Sequence, residues 1–219
     1  NPSGGGISAT KGIISVDSEY ISMTGVDNQT LCTFRVIRTD APVNPGNSGG
    51  GLFNASGELI GIVNAKITSS SIENIAYAIP SNIVSGIADN IIRNCDGDTK
   101  TKVQRCVLGI NVGVVSSSAS YNQATLKTEI IEIVEVSNIN ENSPMKGVLK
   151  LGDIIKSITI DYSNGTSITK EITRTFHMVD LSLTLSIGDT MTIVRTASNG
   201  TEKENVVVEF TNEHLLEME

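Results

Sequence analysis

The first part of the chain carries short apolar, β-branched runs that are separated by polar segments containing glycine. Runs of this kind, bounded by Gly, Asn and Ser, are typical of β-strands. The clearest examples are Ile13–Val16, Phe34–Ile37 and Leu59–Val63. Because these runs are short and follow one another closely, the pattern predicts an antiparallel barrel or sandwich.

The pattern changes at Ser81, where apolar residues begin to recur at helical spacing. Ser81 is a residue type that caps helix N-termini, and the helical pattern continues to Arg93. The apolar positions are Ile83, Val84, Ile87, Ile91 and Ile92. They predict one helix that closes a first domain over residues 1–93.

A polar segment separates this first domain from the rest of the chain. Residues 94–102 show no apolar periodicity, and domain boundaries usually fall in such segments. We therefore predict a linker over residues 94–105. A second domain is predicted over residues 106–212, followed by a C-terminal tail over residues 213–219.

The second domain again reads mainly as strands. They are predicted at Val107–Val115, Ile130–Val136, Asp153–Ile160, Thr190–Arg195 and Val206–Phe210. A one-turn helix is expected to start at Ser143, with Pro144 in its first turn. A second helix is expected over His177–Ser186, where apolar residues are three and four positions apart. The chain is thus predicted to be mainly β, with a small second sheet capped by two helices.

The charge and the apolar runs of the chain limit the classes of binding partner that it can have. The net charge of −8 and the pI near 4.8 argue against a nucleic-acid partner, which would require a concentrated basic face. No apolar stretch approaches the roughly 18 residues expected of a membrane-spanning helix. No signal peptide is recognisable in the opening residues.

The three cysteines do not define a site. Cys32, Cys95 and Cys106 form neither a metal-type cluster nor a Cys-x-x-Cys pair. Cys95 and Cys106 flank a polar segment and can pair, although two separate thiols are favoured. We expect no metal and no cofactor.

The strongest chemical signal is the turn from Asn44 to Gly50, which reads Asn-Pro-Gly-Asn-Ser-Gly-Gly. It places the hydroxyl of Ser48 among glycines, in a turn whose amides can converge on a negative oxygen. Acyl transfer through serine needs this arrangement, because fixed N–H donors stabilise the oxyanion of the tetrahedral intermediate. The alternative is that Ser48 only caps a turn, as serine often does.

The segments around this turn resemble the HtrA/DegP family of trypsin-like serine proteases. The family pattern contains a TDA–NPGNSGG loop, a V-I-G-I strand and a closing F-A-I-P. The matching segments are Thr39–Ala41, Asn44–Gly50, Gly57–Ala65 and Tyr77–Pro80. Gly51 and Tyr77 depart from the pattern, since the family usually has proline and phenylalanine at these positions.

This resemblance implies a serine endopeptidase with Ser48 as the nucleophile. The backbone amides of Gly46 and Ser48, with Asn47 between them, would form the oxyanion hole. The strand segment Val63, Asn64 and Ala65 would pair with the substrate backbone. Val43 and Ile67 would line the primary specificity pocket, which predicts cleavage after small or medium aliphatic residues. Both residues are alternatively plain core residues.

The resemblance also implies that part of the protease is missing from these residues. Ser8–Ser15 resemble the strand that begins the second barrel of the double-barrel fold, whereas the family's catalytic His and Asp lie on the first barrel. No histidine is among the 47 residues before Ser48. We therefore expect half of a chymotrypsin-like double β-barrel, which hydrolyses no peptides on its own.

Three further residues are assigned supporting roles. Asp40 matches a family aspartate that is not catalytic, and we expect it to support the loop through hydrogen bonds to backbone amides. The two histidines, His177 and His214, lie in or beyond the second domain. We interpret both as ordinary surface or groove residues.

The second domain resembles the PDZ domains that follow bacterial HtrA proteases. The matching segments are Val107–Ile110, Asn142–Lys146, Leu149–Ile155, Gly188–Asp189 and Val194–Arg195.

The resemblance to PDZ domains implies that the second domain binds peptide C-termini. Leu108, Gly109 and Ile110 would hold a peptide C-terminal carboxylate. Asn111 and Val112 would add the peptide as an extra strand. Met178, with Leu181, would shape a pocket for an apolar C-terminal side chain.

The leading functional hypothesis is an HtrA-type endopeptidase that acts on misfolded or regulatory proteins outside the cytoplasm. Its partners would be polypeptide substrates and peptide C-termini, and its parent protein is expected to be a homotrimer with an upstream membrane anchor. One alternative is a PDZ adaptor attached to a protease-like half that does not cut. Another is a structural half-barrel that assembles with a partner chain.

Overall fold

The structure is a computed structural model that describes residues 9–24, 31–44, 46–66, 75–94, 105–124 and 126–216. The chain divides into two compact units, Asn1–Ser85 and Gly86–Glu219. We refer to them as the first unit and the second unit. The fold is mainly β with antiparallel sheets, which confirms the prediction of a mainly β chain, whereas the PDZ assignment of the second domain stays a prediction.

The first unit is one five-stranded antiparallel sheet. Its strands are β1 (Ile14–Thr24), β2 (Leu31–Thr39), β3 (Gly51–Phe53), β4 (Leu59–Lys66) and β5 (Ala76–Pro80). They lie in the order β1-β2-β5-β4-β3. The three strands predicted from the apolar runs are thus part of β1, β2 and β4. The short strand β3 was not predicted, because Gly51–Phe53 is too brief to show a period.

Helix α1 (Ser81–Asn94) begins and ends within one residue of its predicted limits. The division between the units falls inside this helix, after Ser85. From Gly86 onward the helix contacts residues of the second unit. The Nδ2 atom of Asn90 donates to the Leu185 carbonyl at 3.2 Å. The predicted linker over residues 94–105 lies mostly outside the described residues, so the predicted domain limits stay predictions.

After α1, the described part of the second unit contains a six-stranded sheet and the short helix α2. Its elements are β6 (Arg105–Cys106), β7 (Ile110–Asn122), β8 (Lys127–Ile139), β9 (Ile154–Asp161), β10 (Ser167–Glu171), α2 (Phe176–Ser182), β11 (Thr190–Thr196), β12 (Val206–Glu209) and β13 (Leu215–Leu216). The sheet order is β12-β11-β9-β8-β7, with β10 also paired to β9. Strands β6 and β13 form a separate antiparallel pair.

The second unit differs from the prediction in two places. Residues 116–129 and 161–175, where no strand was predicted, contain much of the β7–β8 hairpin and all of β10. The helix expected at Ser143 is instead a series of turns, including a 3.0 Å hydrogen bond from the Lys146 amide to the Ser143 carbonyl. The Ser143 hydroxyl accepts the Met145 amide at 3.0 Å, as in a helix N-cap. Gly147, however, has a φ angle of 83°, so a helix cannot continue past Lys146.

The second unit has the larger buried core. Apolar side chains of the sheet, of α2 and of the turns after Ser143 pack together, and Met145, Ile158, Ile193 and Phe210 are fully buried. In the described part of the first unit, Val43, Val63 and Ala76 form a small buried cluster. Neither described helix is long and apolar enough to cross a membrane.

Candidate active site

The segment Asn44–Gly50, which we call the serine loop, is built from two consecutive turns. The Asn47 amide donates to the Asn44 carbonyl at 3.0 Å, and the Gly50 amide donates to the Asn47 carbonyl at 2.9 Å. Gly46 has a φ angle of 97°, which side chains other than glycine rarely adopt. Pro45 lies outside the described residues. The turns leave Ser48 exposed at the surface of the first unit.

The serine loop is fastened to strand β4. The Gly49 amide donates to the Val63 carbonyl at 2.8 Å, and the Val63 amide donates to the Gly50 carbonyl at 2.9 Å. This reciprocal pair continues the strand pairing of β4 beyond β3. It therefore holds the loop beside the segment that was expected to bind the substrate backbone.

The hydroxyl of Ser48 is only weakly engaged. Its Oγ atom donates to the Asn64 carbonyl at 3.4 Å, which is long for an O–H···O hydrogen bond. Among the described residues, no hydrogen-bond acceptor lies within range of the Ser48 backbone amide. An exposed hydroxyl with one weak partner can rotate toward an incoming carbonyl group, and a free amide beside it can donate to the resulting oxyanion.

Asp40 stabilises the start of β1 rather than the tip of the serine loop. Its Oδ1 atom accepts the Ile13 amide at 2.6 Å, and the Thr39 hydroxyl donates to the Ile13 carbonyl at 2.8 Å. A Cβ atom on Gly12 would lie 2.3 Å from the same Asp40 oxygen, so only glycine fits there. The expected bond from a backbone amide to Asp40 is present, and it joins the base of the loop to β1.

The residues assigned to substrate binding occupy different environments. Val43 and Val63 are buried together with Ala76, so both contribute to the core of the first unit. Asn64 is half-buried, and Ala65 continues β4. Ile67 lies outside the described residues. The pocket role of Val43 therefore stays a prediction, beside its observed role in the core.

The first unit contains no histidine, and each of the two histidines has a local role in the second unit. His177 Nδ1 accepts the Thr173 amide at 3.4 Å, and its ring packs edge-on against Phe176. His214 Nδ1 accepts the Thr211 amide at 3.0 Å in a capping arrangement. These contacts are those of structural side chains.

A second glycine-containing loop, Val107–Ile110, precedes the edge strand β7. We call it the glycine loop. Gly109 has a φ angle of 62°, and its carbonyl accepts the Asn140 amide at 2.8 Å. A Cβ atom at Gly109 would lie 2.8 Å from the Cβ atom of Ser143, so the position excludes larger residues. The buried Ser143 hydroxyl donates to the Leu108 carbonyl at 2.7 Å and thereby fixes the loop.

The other residues assigned to peptide binding lie near the glycine loop. Ile110 and Val112 pack partly against the core of the second unit, and Asn111 is exposed. Met178 and Leu181 on α2 are buried in the same core. Their contact with a peptide stays a prediction, since burial in a core accounts for both.

The sequence interpretation missed the polar groups that stabilise the second unit. Asp153 is fully buried and pairs with Arg195 and Lys203. Its burial raises the pKa of the carboxyl group, but hydrogen bonds from Lys203, the Lys150 amide and Arg195 outweigh that effect and lower the pKa. The sequence feature that could have indicated Asp153 is the Gly-Asp pair after Leu151. We interpreted this pair only as part of a segment that resembles PDZ domains.

Cys106 is a free thiol in the core of the second unit. It is fully buried, and burial is the main reason that its pKa is raised to about 11. The thiol is therefore neutral near pH 7 and is not a candidate nucleophile. Cys95, its possible partner, lies outside the described residues.

Comparisons with known proteins agree with the chemistry of the serine loop. Residues 1–62 match the family model of the trypsin-like peptidase domain. The chain is 37% identical over 158 residues to the serine protease Do-like HtrA of Lactococcus lactis subsp. lactis, a match that covers 68% of this chain and 37% of that protein. It is also 37% identical over 151 residues to the serine protease Do-like HtrB of Bacillus subtilis, covering 67% of this chain and 31% of that protein.

Among solved structures, the chain is similar to the HtrA-type protease AlgW with decapeptide. The sequences are 28% identical, the match covers 96% of this chain and 57% of that chain, and the TM-score is 0.48. The chain thus spans about a third of the length of the two curated relatives. The matched peptidase segment contains the serine loop and the first half of β4. By these sequence matches, the chain belongs to the HtrA-like family of trypsin-like serine proteases.

Proposed function

We propose that this chain is the part of an HtrA-type serine endopeptidase that supplies the nucleophile and a peptide-binding domain. The observation that carries the proposal is the exposed Ser48 hydroxyl, held beside β4 by a loop that requires a left-handed Gly46. A buried or fully bonded hydroxyl would have no such access. The family membership of the chain supports the same reaction.

In the proposed reaction, Ser48 Oγ attacks the carbonyl carbon of a peptide bond while a histidine accepts its proton. The tetrahedral intermediate then breaks its C–N bond as the histidine gives the proton to the leaving amine, and water hydrolyses the acyl-enzyme that remains on Ser48. The Gly46 and Ser48 amides would stabilise the oxyanion of each tetrahedral intermediate. Because residues 1–85 contain no histidine, we propose that the base and its aspartate come from residues outside these 219.

The substrate would bind along β4. Strand β3 pairs with β4 only as far as Ile62, and the serine loop bonds to Val63. Within the described residues, this side of Asn64 and Ala65 pairs with no strand, so an extended substrate can form main-chain hydrogen bonds there. An aliphatic pocket near Val43 would disfavour Lys and Arg, because a buried charge would remain unpaired.

The second unit would bind peptide C-termini at the glycine loop. Ser143 and Asn140 fix the Leu108 and Gly109 carbonyls, and the Val107 amide donates to the His214 carbonyl at 2.9 Å. The amides of Leu108, Gly109 and Ile110 would therefore hold the carboxylate. Strand β7 is the last strand of its sheet, so a peptide can pair with it. The substrates we propose are misfolded or regulatory proteins outside the cytoplasm.

The second candidate function is a PDZ adaptor whose protease-like unit does not cut. The absence of histidine from the first unit favours it. The two functions make opposite predictions for the natural protein in which these residues occur. An endopeptidase must turn over unfolded protein through Ser48, whereas an adaptor binds peptides equally well when Ser48 is replaced.

The test compares three samples for hydrolysis of unfolded casein. They are the protein purified from its natural host at the length it has there, its Ser48→Ala variant, and the 219-residue chain alone. We expect hydrolysis by the natural protein, loss of hydrolysis in the variant, and no hydrolysis above background by the chain alone. An inactive natural protein would support the adaptor. Ser48-dependent hydrolysis by the chain alone would place the base within these residues.

A further inference from the structure

The distal half of the β7–β8 hairpin is a two-stranded ribbon. Residues 116–122 of β7 pair with residues 127–133 of β8, whereas β8 pairs with β9 only at Val134 and Glu135. We call residues 116–133 the distal ribbon. In the described part of the chain, no third strand flanks it, although the Glu132 amide near its base donates to the Thr173 carbonyl at 2.7 Å. Because an isolated hairpin is at best marginally stable in water, a ribbon this long suggests a binding role.

The distal ribbon exposes large apolar side chains. Tyr121 is 59% exposed and Ile130 is 47% exposed. Leu126 is exposed next to the β7–β8 turn, and Ile131 and Ile133 are exposed on the opposite face. Exposed apolar side chains on a soluble domain can mark an interaction site, and on an edge strand they also promote aggregation unless a partner covers them.

One face of the distal ribbon continues the face that packs against the core. Val134 and Val136 are fully buried, and alternation along β8 places Glu132 and Ile130 on the same face. Residues directly opposite each other in an antiparallel pair share a face. Ala119, which lies opposite Ile130, is therefore on this face as well.

Contacts of Glu132 locate this face beside the start of α2. The Glu132 carboxylate accepts the Thr175 amide at 2.8 Å and Arg174 Nε at 3.3 Å. Thr175 directly precedes α2. The expected peptide groove between β7 and α2 thus leads onto the face that carries Ala119, Tyr121 and Ile130.

The outer edge of β7 is much longer than the expected C-terminal site. β7 has 13 residues, about 44 Å at the usual rise per residue, and it is the last strand in the order of the described sheet. The expected carboxylate site uses only Leu108–Val112. A register shift between Val114 and Ser116 then separates that site from the edge of the distal ribbon.

We propose that the distal ribbon binds the segment of a client protein that precedes its C-terminus. This segment would lie as an extended strand along residues 116–122, and its alternate side chains would contact Ala119, Tyr121 and Ile130. The inference rests on the proposed peptide-binding function and names its substrate class, a long unfolded C-terminal segment. Small serines along β7 leave room for different client sequences.

Charge further defines the client segment. The whole chain carries a net charge of −8, whereas Glu129 and Glu135 of β8 lie on the face of the hairpin opposite Ile130. Complementary charge favours clients with Lys or Arg in this segment over clients with Asp or Glu.

The test uses two fluorescein-labelled synthetic peptides that end in the same six residues, with valine at the C-terminus. One has six residues, and the other has eight further upstream residues that include two lysines. Their affinities for the 219-residue chain are compared by fluorescence anisotropy. The variants are Ile130→Ser and Tyr121→Ser. Ile131→Ser is the matched control, because it changes the neighbouring exposed isoleucine on the opposite face.

We expect the long peptide to bind about tenfold more tightly than the short one, because its upstream residues add several cross-strand pairs with β7. Ile130→Ser and Tyr121→Ser should remove most of this gain and leave the short peptide unaffected, whereas Ile131→Ser should keep the gain. Replacing the two peptide lysines by glutamate should weaken the long peptide several-fold.

Three results would overturn the proposal: no gain with length, an equal loss in Ile131→Ser, or a dimer that Ile130→Ser dissociates and that binds both peptides alike. Binding of the long peptide without binding of the short one would support the distal ribbon and contradict the C-terminal site of the proposed function. The two proposals therefore fail separately.

Discussion

Two serines of this protein lie near a left-handed glycine, and their hydroxyl groups differ in exposure and in hydrogen bonding. Ser48 is exposed, and its hydroxyl makes one weak contact to Asn64 at 3.4 Å. Ser143 is buried, donates to Leu108 at 2.7 Å and accepts the Met145 amide at 3.0 Å. The same residue type is therefore structural where its hydrogen bonds are satisfied and available for chemistry where they are not.

The two loops also differ in how they are supported. The serine loop is fastened by backbone hydrogen bonds to β4, and the described core nearby is a cluster of small and medium side chains. The glycine loop is fixed by a buried side chain at the margin of a much larger core. Changes in the serine loop should consequently affect chemistry, and changes around the glycine loop should affect stability.

The largest effect is expected for Gly46→Ala in the catalytically active natural protein. Gly46 has a φ angle of 97°, so alanine would shift the loop and its amide away from the oxyanion. We expect kcat to fall about 100- to 1000-fold, as for loss of an oxyanion-hole donor. Gly57→Ala is the matched control, because it has a φ angle of 80° in the β3–β4 turn with open space around its Cβ. Equal losses of kcat in both variants would contradict the specific role of the serine loop.

The next largest effect is expected for Asp153→Asn in the second unit. Removing the buried charge leaves Arg195 and Lys203 without their partner, and we expect a loss of about 3 kcal/mol in the free energy of unfolding at pH 7. Because the folded pKa of Asp153 is lowered, its stabilisation is present above the ordinary pKa of about 4 and is lost as the pH falls below it.

Hydrogen exchange of the β9 and β11 amides, followed as a function of urea concentration at pH 7 and at pH 3, measures this loss. Because these amides belong to the second unit, the measurement is separate from the stability of the first unit. The difference in the free energy of unfolding between the natural protein and the Asp153→Asn variant should be smaller at pH 3 than at pH 7. Asp161→Asn, which changes an exposed aspartate in the same strand, should have little effect. A difference that is independent of pH would contradict the role of the Asp153 charge.

A smaller effect is expected for Ser143→Ala. The substitution leaves the Leu108 carbonyl and the Met145 amide without their partner, which costs about 2 kcal/mol. Urea unfolding, monitored by hydrogen exchange at amides in the core of the second unit, measures this loss. The control variant is Ser137→Ala, which changes an exposed serine. Proteolytic activity should persist at temperatures where the variant stays folded. A loss of activity without a loss of stability would contradict the comparison of the two serines.

The sequence predicted the elements whose pattern is periodic and missed those that depend on a partner. Helix α1 has regular apolar spacing and was predicted within one residue of its observed limits. The serine-rich half of β7 has no apolar alternation, and it forms a strand because the isoleucine-rich β8 pairs with it. Propensity alone could not predict that pairing.

For a similar reason, only some residues of the candidate site could be assigned from the sequence. Ser48 and Gly46 could be assigned from the sequence because their short motif specifies a local turn, and their catalytic roles stay predictions. Ser143 acts through Leu108, which lies 35 residues away along the chain, so no local pattern indicated its role. The ion pair of Asp153 with Lys203 also joins residues that are far apart along the chain, so no local pattern indicated it.

The most direct test of the central claim is covalent labelling with a serine-directed fluorophosphonate. The natural protein would be labelled, digested and analysed by mass spectrometry, with Ser48→Ala and Ser143→Ala as variants. We predict a single adduct on Ser48, formed at the rate at which proteolysis is lost, absent from Ser48→Ala and retained in Ser143→Ala. An adduct on another serine, or complete inhibition with Ser48 unmodified, would contradict the account.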